Sequence, residues 1–163
     1  MASLPKSFAQ APVIWRPLRH SDVTRVAALE AQIHAAPWTA GNFDDALAAG
    51  YSARVGERDG RIVTYGVLML APGEAQLLNL SVIPEARRQG LGAELLARFL
   101  DDALRLGAEQ VFLEVRVGNT AAIALYERAG FVRVARRIDY YPPGPASTLR
   151  EDALVMRRVA GAM

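Results

Sequence analysis

The sequence contains no cysteine and only two histidines, His20 and His34, among its 163 residues. The absence of cysteine excludes disulfides, thiolate nucleophiles and metal sites with cysteine ligands. No H-E-x-x-H or similar spacing brings histidine together with a carboxylate in the pattern of a metalloenzyme. We therefore expect no metal cofactor.

Lysine is almost absent as well, because Lys6 is the only one and the remaining positive charge is arginine. The formal net charge at pH 7 is +2, and no basic run is interleaved with aromatic residues. Such a small excess does not suit a general nucleic-acid surface, whereas arginine can hold one phosphate group bidentately. We expect a single anionic ligand and no direct contact with nucleic acid.

Long apolar runs are missing too. The segment MASLPKSFAQAP at the start has no apolar stretch of signal-peptide length, and no later stretch approaches a membrane span. Apolar residues nevertheless make up 52% of the chain, which is enough for a sizeable core. We predict one cytoplasmic domain over residues 1–163, with residues 1–11 as a flexible lead-in and no membrane contact.

Hydrophobic periodicity and turn signals predict a mixed α/β sheet with the order β-α-α-β-β-β-α-β-α-β-β. The predicted strands are residues 13–18, 51–58, 61–70, 75–83, 111–117, 131–137 and 153–159. The predicted helices are residues 21–34, 39–50, 89–106 and 119–129. Asp59-Gly60 predicts a tight hairpin turn, and the proline-rich segment after Tyr140 predicts a loop.

The segment RRQGLG, residues 87–92, lies between a predicted strand and an amphipathic helix. A helix start offers unpaired N–H groups and the positive end of a dipole, which together suit a phosphate. Gly90 and Gly92 would let the backbone close on a pyrophosphate, with Arg87 or Arg88 adding charge. The spacing is neither that of a dinucleotide fold nor that of a P-loop. Glycines placed for close helix packing are an equal alternative.

A carboxylate stands in the middle of the strand VFLEVRV. Glu114 shares one face with Phe112 and Arg116, while the alternate residues face the other way. Partial burial there would raise its pKa and suit it as a general base. The pattern alone favours the alternative, an ion pair between Glu114 and Arg116 on the same face.

Tyr126 lies on one face of the helix NTAAIALYERAG, where its hydroxyl could donate a proton to a leaving group. An aromatic ring on an apolar helix face is more often part of the core. Asn119 is first of all the cap of this helix, and a ligand contact would be an additional role. His34 is interpreted as a packed or helix-terminal histidine rather than a catalyst.

Two aromatic segments, APWT and DYYPP, place three rings beside predicted helix or strand ends. Trp38 stands at a helix break, and Tyr140 and Tyr141 precede two prolines. Loops of this kind often line binding grooves. Rings that merely cover the ends of the core are an equal alternative.

Together these segments resemble the GCN5-related N-acetyltransferase (GNAT) superfamily, and more narrowly the RimI-type ribosomal-protein-alanine N-acetyltransferases. RRQGLG matches the acetyl-CoA signature [RQ]-x-x-G-x-[GA]. Four segments carry the narrower resemblance, in the family's order: EAQIHAAPWTAGNF, LLNLSVIPEARRQGLGAELL, LEVRVGNTAAIALYERAGF and RRIDYYPP with REDALVM. The resemblance implies a GNAT fold, with a mixed, mostly antiparallel sheet of about seven strands flanked by about four helices, and acetyl-CoA as co-substrate.

The resemblance also implies roles for the matching residues. Leu80, Ser81 and Val82 would lend backbone groups to the pantetheine arm, and Asn119 would contact the coenzyme near the thioester. Glu114 would be the general base and Tyr126 the proton donor to the departing thiolate. Trp38, Tyr140 and Tyr141 would shape the entrance for a peptide N-terminus. The pyrophosphate would be held by the following residues: Arg87, Arg88, Gln89, Gly90, Leu91, Gly92 and Ala93.

The implied function is transfer of an acetyl group from acetyl-CoA to the N-terminal amine, with alanine favoured, of a small-subunit ribosomal protein. The amine would attack the thioester directly, without a covalent enzyme intermediate. Two other functions stay open at this point. The acceptor could be a lysine side chain or a small amine, or the chain could be a non-catalytic module that binds acyl-CoA.

Overall fold

The computed structural model describes residues 11–144 and 147–162. The predicted flexible lead-in therefore lies, except for its last residue, outside the described residues. The described part contains the elements in the predicted order: β1 (Ile14–Pro17), α1 (Val23–Ile33), α2 (Ala40–Ala48), β2 (Ser52–Arg58), β3 (Arg61–Ala71), β4 (Glu74–Val82), α3 (Leu91–Arg105), β5 (Gln110–Arg116), α4 (Thr120–Arg128), β6 (Val132–Tyr141) and β7 (Glu151–Val159).

The seven strands form one sheet with the order β1-β2-β3-β4-β5-β7-β6. The pairs β1–β2, β5–β7 and β6–β7 are antiparallel, whereas β4 and β5 are parallel. A parallel pair needs a long crossover, and α3 supplies it. The predicted fold class, a mixed and mostly antiparallel sheet with four helices, is confirmed.

The described residues divide into two compact units, one of the residues up to 67 together with 79–96 and the other of residues 68–78 together with those from 97 onward. A single domain over residues 1–163 stays a prediction. Within the described residues no helix is long and apolar enough to cross a membrane.

The first unit has its core between α1, α2 and the neighbouring strands. Val26, Phe43 and Tyr65 are almost completely buried there, and the Phe43 and Tyr65 rings meet edge to face at 6.2 Å. Asp59 and Gly60 both have positive φ angles, 50° and 77°. These angles confirm the predicted two-residue turn between β2 and β3.

The second unit is organised around β5, whose residues alternate between buried and half-buried. Val111, Leu113 and Val115 face the core, so Glu114 lies on the opposite face as the sequence predicts. β6, in contrast, is exposed along nearly its whole length. The open faces of β5 and β6 therefore carry the polar groups of this unit.

One predicted loop is wrong, because Tyr140 and Tyr141 form the end of β6 rather than an aromatic loop. The pairing of β6 with β7 continues past an irregularity and reaches Tyr141 opposite Glu151. Arg150 stabilises this extension by donating to the carbonyl oxygens of Asp139 at 2.8 Å and Tyr140 at 3.0 Å. Such long-range bonds leave no signal in the local sequence.

Candidate active site

The turn before α3 explains the glycine at position 90. Its φ angle is +78°, and a Cβ atom placed there would meet no heavy atom within 4 Å. Backbone conformation rather than close packing therefore requires glycine at this point. The helix begins at Leu91, two residues later than predicted, because Arg88, with φ of +62°, and Gly90 are not helical.

The start of α3 presents a set of backbone donors. Glu94 N–H donates to Gly90 O at 3.0 Å, so the N–H groups of Leu91, Gly92 and Ala93 begin the helix without an internal partner. These three groups and the helix dipole favour an anion in the open space beside Gly90. The turn thus fits a phosphate group.

Side chains around this turn are partly held in place. Arg87 and Arg88 are exposed, and Arg87 Nε donates to Val82 O at 3.3 Å. The side chain of Gln89 accepts a hydrogen bond of 2.6 Å from Arg58 Nη1. Sequence reasoning missed Arg58, which lies on β2, far from the glycine segment in the chain.

The carboxyl-terminal part of β4 extends beyond its pairing with β5. The registered pairs end at Leu77 opposite Leu113, and β4 continues to Val82. Ile83 N–H donates to Val63 O of β3 at 3.0 Å. Because neighbouring strand residues point their backbone groups to opposite edges, Leu80 and Val82 direct theirs away from β3. Of the three predicted residues, these two have the backbone orientation that an added strand requires.

Glu114 lies among polar neighbours in the second unit. Its side chain is 17% exposed, and Arg137 Nη2 lies 3.4 Å from its Oε1. The alternative of a Glu114–Arg116 ion pair does not describe the observed pairing, because Arg116 lies 3.2 Å from Glu151. A hydrogen bond to Glu114 also raises the pKa of Tyr140. Arg137 and Tyr140 both come from β6.

Two tyrosine rings stand beside this carboxylate. The Tyr140 and Tyr141 rings are perpendicular, with centroids 5.0 Å apart. Arg137 lies over the Tyr140 ring at 5.4 Å, and Arg116 lies over the Tyr141 ring at 4.4 Å. Burial, and then the charge of Glu114, raise the pKa of Tyr141 to about 12. The cluster can therefore present a carboxylate framed by aromatic rings and guanidinium groups.

Tyr126 lies in α4 and is 8% exposed, with its ring 5.9 Å from that of Phe131. Burial, and then the proximity of Tyr141, raise the pKa of Tyr126 to about 12. Its hydroxyl therefore stays protonated at neutral pH. Packing in the core and donation to a ligand are both compatible with this position. Asn119 caps α4 as predicted, since its side chain accepts from Ala122 N at 3.2 Å.

Trp38 follows α1 in the first unit and combines the two roles that the sequence left open. Its ring packs against Phe43 at 5.1 Å, and the residue is half-buried. It also lines an open cavity of about 480 Å³ together with Asn42, Asp45, Ala46, Ala49 and Tyr51. The ring thus covers the core and borders a groove.

Within the second unit the structure brings several of the predicted residues together. In the second unit Glu114, Tyr140 and Tyr141 form one cluster, and Tyr126 is close enough to Tyr141 for an electrostatic interaction. Sequence reasoning missed Arg137, because its pairing with Glu114 depends on the register of three strands. Among the described residues, no three of His, Asp and Glu are grouped as metal ligands.

Comparison with known proteins identifies the family. A sequence model of the GNAT acetyltransferase family matches residues 20–131. The chain is 34% identical to the ribosomal protein bS18-alanine N-acetyltransferase of Escherichia coli K12 over 139 residues, which cover 85% of this chain and 92% of that protein. It is 39% identical to the N-alpha-acetyltransferase RimI of Mycobacterium tuberculosis over 157 residues, 92% of this chain and 94% of that protein.

A solved structure shows the same architecture. The crystal structure of the ribosomal-protein-S18-alanine N-acetyltransferase from Escherichia coli superimposes with a TM-score of 0.85 at 32% sequence identity. The alignment covers 93% of this chain and 96% of that one. The chain therefore belongs to the GNAT acetyltransferase family, whose members take their acetyl group from acetyl-CoA.

Proposed function

We propose that this protein transfers an acetyl group from acetyl-CoA to the α-amine of an N-terminal alanine in a small-subunit ribosomal protein. The observation that carries this proposal is the Glu114 cluster, a strand carboxylate on an open sheet face with two tyrosine rings beside it. The names of the relatives supply the acceptor, since the Escherichia coli protein is named for acetylation of an alanine of bS18.

The first unit would hold the coenzyme. The N–H groups at the start of α3 suit the pyrophosphate, and the open space beside Gly90 leaves room for it. The backbone groups of Leu80 and Val82 suit the pantetheine arm, which can pair with a strand edge as a further strand would. The bound coenzyme supplies an acetyl thioester.

Glu114 would accept the proton that the α-ammonium group loses. A free α-amine has a pKa of about 8, so a modest base suffices to free its lone pair. The Arg137 guanidinium, 3.4 Å from Glu114, occupies the place of a cationic partner. An incoming ammonium group would compete with Arg137, while Tyr140 and Tyr141 border its path.

Tyr126 would assist the departing sulfur. A pKa of about 12 keeps its hydroxyl protonated. Complete proton transfer to a thiolate, whose thiol has a pKa of about 8.5, would be uphill by about 5 kcal/mol. We therefore assign the larger part of its effect to a hydrogen bond that strengthens as negative charge develops on sulfur.

Transfer would be direct, in a ternary complex of protein, acetyl-CoA and peptide. The chain has no cysteine to carry an acetyl group. Mass spectrometry after incubation with acetyl-CoA alone should show no acetyl-enzyme that a later addition of peptide discharges. A species of that kind would contradict direct transfer.

The decisive experiment compares two peptides. One begins with a free alanine, and the other has a blocked N-terminus and an internal lysine. Because the protein contains no cysteine, a thiol reagent reports only the coenzyme A released. We expect thiol release with the alanine peptide alone.

Glu114→Gln should lower kcat for the alanine peptide by about 10²-fold or more, the usual loss for a general base. Glu127→Gln is the matched control, because Glu127 is an exposed carboxylate paired with Arg133 at 3.0 Å in the same unit. It should leave kcat within about twofold, as expected for an exposed ion pair. Turnover of the lysine peptide would move the acceptor to lysine side chains. Coenzyme binding without turnover of either peptide would favour the non-catalytic module.

A further inference from the structure

A buried carboxylate that the proposed chemistry does not use lies in the last turn of α1. Glu30 is 2% exposed. Its Oε1 accepts from the Tyr65 hydroxyl at 2.8 Å, and its Oε2 accepts from the Trp38 backbone N–H at 3.0 Å. The Asn79 amide donates to both oxygens, at 3.1 and 3.2 Å. Glu30 thus joins β3, β4 and the segment of Trp38 at one point.

The carboxylate also sets the direction of the hydrogen bonds beyond it. Both Glu30 oxygens act as acceptors, so Asn79 turns its NH₂ toward Glu30 and its Oδ1 toward Ser81. Ser81 Oγ donates to that oxygen at 2.8 Å. A hydroxyl has one hydrogen, so the contact of 2.8 Å between Ser81 Oγ and His34 Nε2 takes its hydrogen from the imidazole.

His34 also lies close to the carboxylate at which this chain of bonds begins. His34 Nε2 lies 3.4 Å from Glu30 Oε1, one helical turn along α1, and the His34 side chain is 40% exposed. We call Glu30, Asn79, Ser81 and His34 the Glu30 ring. Ser81 lies in β4 between the two residues whose backbone suits the coenzyme. The Glu30 ring therefore orders the strand that would bind acetyl-CoA.

We propose that Glu30 is a positioning residue for acetyl transfer, a role that rests on the function proposed above. It contacts neither substrate directly. It fixes residues 79–82 of β4 through Asn79 and Ser81. It also fixes the backbone of Trp38, which would shape the entrance for the peptide. Supporting groups of this kind hold binding residues in their productive orientation.

Glu30→Gln tests this role because it keeps the shape of the side chain. One oxygen becomes an NH₂ group, and in either orientation that group faces the NH₂ of Asn79, which is also a donor. We expect the Kd for acetyl-CoA and the KM for the alanine peptide to rise about tenfold each, with kcat changed less than about threefold. Calorimetry with acetyl-CoA and steady-state kinetics measure these values.

Asp22→Asn is the matched control. Asp22 lies at the other end of α1, is 1% exposed, and is bonded by Arg16 at 2.7 Å and Arg25 at 2.9 Å. This variant also removes a buried carboxylate, so it should lower the melting temperature. The affinity for acetyl-CoA should nevertheless stay within about twofold of wild type, because Asp22 has no bond to β4.

A pair of variants at His34 covers the case in which Glu30→Gln does not fold. The amide NH₂ of a glutamine can replace the Nε2–H donor toward Ser81, whereas alanine cannot. His34→Ala should weaken acetyl-CoA binding several-fold, and His34→Gln should restore it. A general loss of packing would not produce this rescue.

The outcomes separate this inference from the proposed function. A wild-type protein that binds acetyl-CoA but acetylates neither peptide would end the proposed function, while calorimetry on the variants would still test Glu30. The positioning role is overturned if Glu30→Gln binds acetyl-CoA as tightly as wild type. It is equally overturned if Asp22→Asn weakens binding by the same factor. A wild-type protein that does not bind acetyl-CoA would overturn both.

Discussion

Glu30 and Glu114 are carboxylates in regular secondary structure, and their surroundings differ strongly. Glu30 is completely enclosed, and its oxygens accept from donors on three segments. Glu114 keeps 17% of its side chain exposed, and its partners are the Arg137 side chain and the Tyr140 hydroxyl, both of β6. Burial suits a carboxylate that holds neighbouring residues in place, whereas partial exposure suits a group that must exchange a proton.

At the same scale, Tyr126→Phe tests the assistance given to the leaving group. The ring stays packed against Phe131, and only the hydroxyl is lost. We expect kcat for the alanine peptide to fall about 100- to 1,000-fold, the range for loss of one donor to developing charge. Because burial raises the pKa of Tyr126 to about 12, its ionisation should not lower wild-type activity between pH 8 and 10.

The control for that substitution changes packing without touching the hydroxyl. Phe131→Leu should lower the melting temperature through a poorly filled site beside Tyr126, yet leave kcat within about threefold. If both variants lost activity equally, the effect of Tyr126 would be one of packing, and its role as a donor would have to be abandoned.

At the scale of elements, the turn before α3 depends on the left-handed backbone conformation of Gly90. Gly90→Ala forces a side chain into a φ of +78°, at a cost of about 1 kcal/mol or somewhat more. The new methyl group would also enter the space proposed for the pyrophosphate. We expect the Kd for acetyl-CoA to rise more than tenfold, because both effects act against binding.

Gly73→Ala separates the two effects. Gly73 has a φ of +77° and, like Gly90, open space around its Cβ position, but it lies in the turn between β3 and β4. Both variants should lose similar stability in urea unfolding. Only Gly90→Ala should lose affinity in calorimetry, and equal losses would remove the argument for a phosphate site at this turn.

The elements that could be predicted from sequence are those that local chemistry determines. The Asp59-Gly60 hairpin and the cap at Asn119 follow from residues a few positions apart. The alternation in β5 follows from burial on one face. The length of β6 could not be predicted, since Arg150 holds its end by bonds across the sheet.

The candidate site divides in the same way. RRQGLG identified the turn before α3 because glycine and arginine act there through the local backbone. Arg137 beside Glu114 and the bonds of Glu30 to Asn79 depend on register and tertiary packing. His34 was interpreted as a packed or helix-terminal histidine, and it is the residue that caps the end of α1. Its bond to Ser81 had no sequence signal, because the two residues belong to different elements.

At the scale of the whole molecule, the composition implies that ionisation of tyrosine side chains limits the stability of the fold at high pH. Nineteen residues are lysine or arginine, only one of them lysine, and no cysteine is present. Arginine keeps its charge at high pH, so few other groups titrate between pH 9 and 12. Burial raises the pKa of Tyr65 well above its usual value, and it raises those of Tyr126 and Tyr141 to about 12.

The sign of the effect follows from which state holds the protons. In the unfolded chain these tyrosines ionise near pH 10, whereas in the folded protein they stay neutral to higher pH. The folded state therefore binds more protons above pH 10, and the free energy of unfolding falls as the pH rises. For Tyr126, a pKa of about 12 in place of about 10 lowers the free energy of unfolding by about 2 kcal/mol once the pH reaches about 12.

Urea unfolding at about pH 8, 9.5, 10 and 11 measures this loss. Wild-type stability should be similar at pH 8 and 9.5 and should fall steeply above pH 10. Tyr126→Phe removes one ionising group, so its stability should fall less over the same interval even if it starts lower at pH 8. Parallel curves for the two proteins would mean that Tyr126 ionises equally in both states. The hydroxyl would then not be enclosed, and the basis for a protonated donor beside the leaving sulfur would be lost.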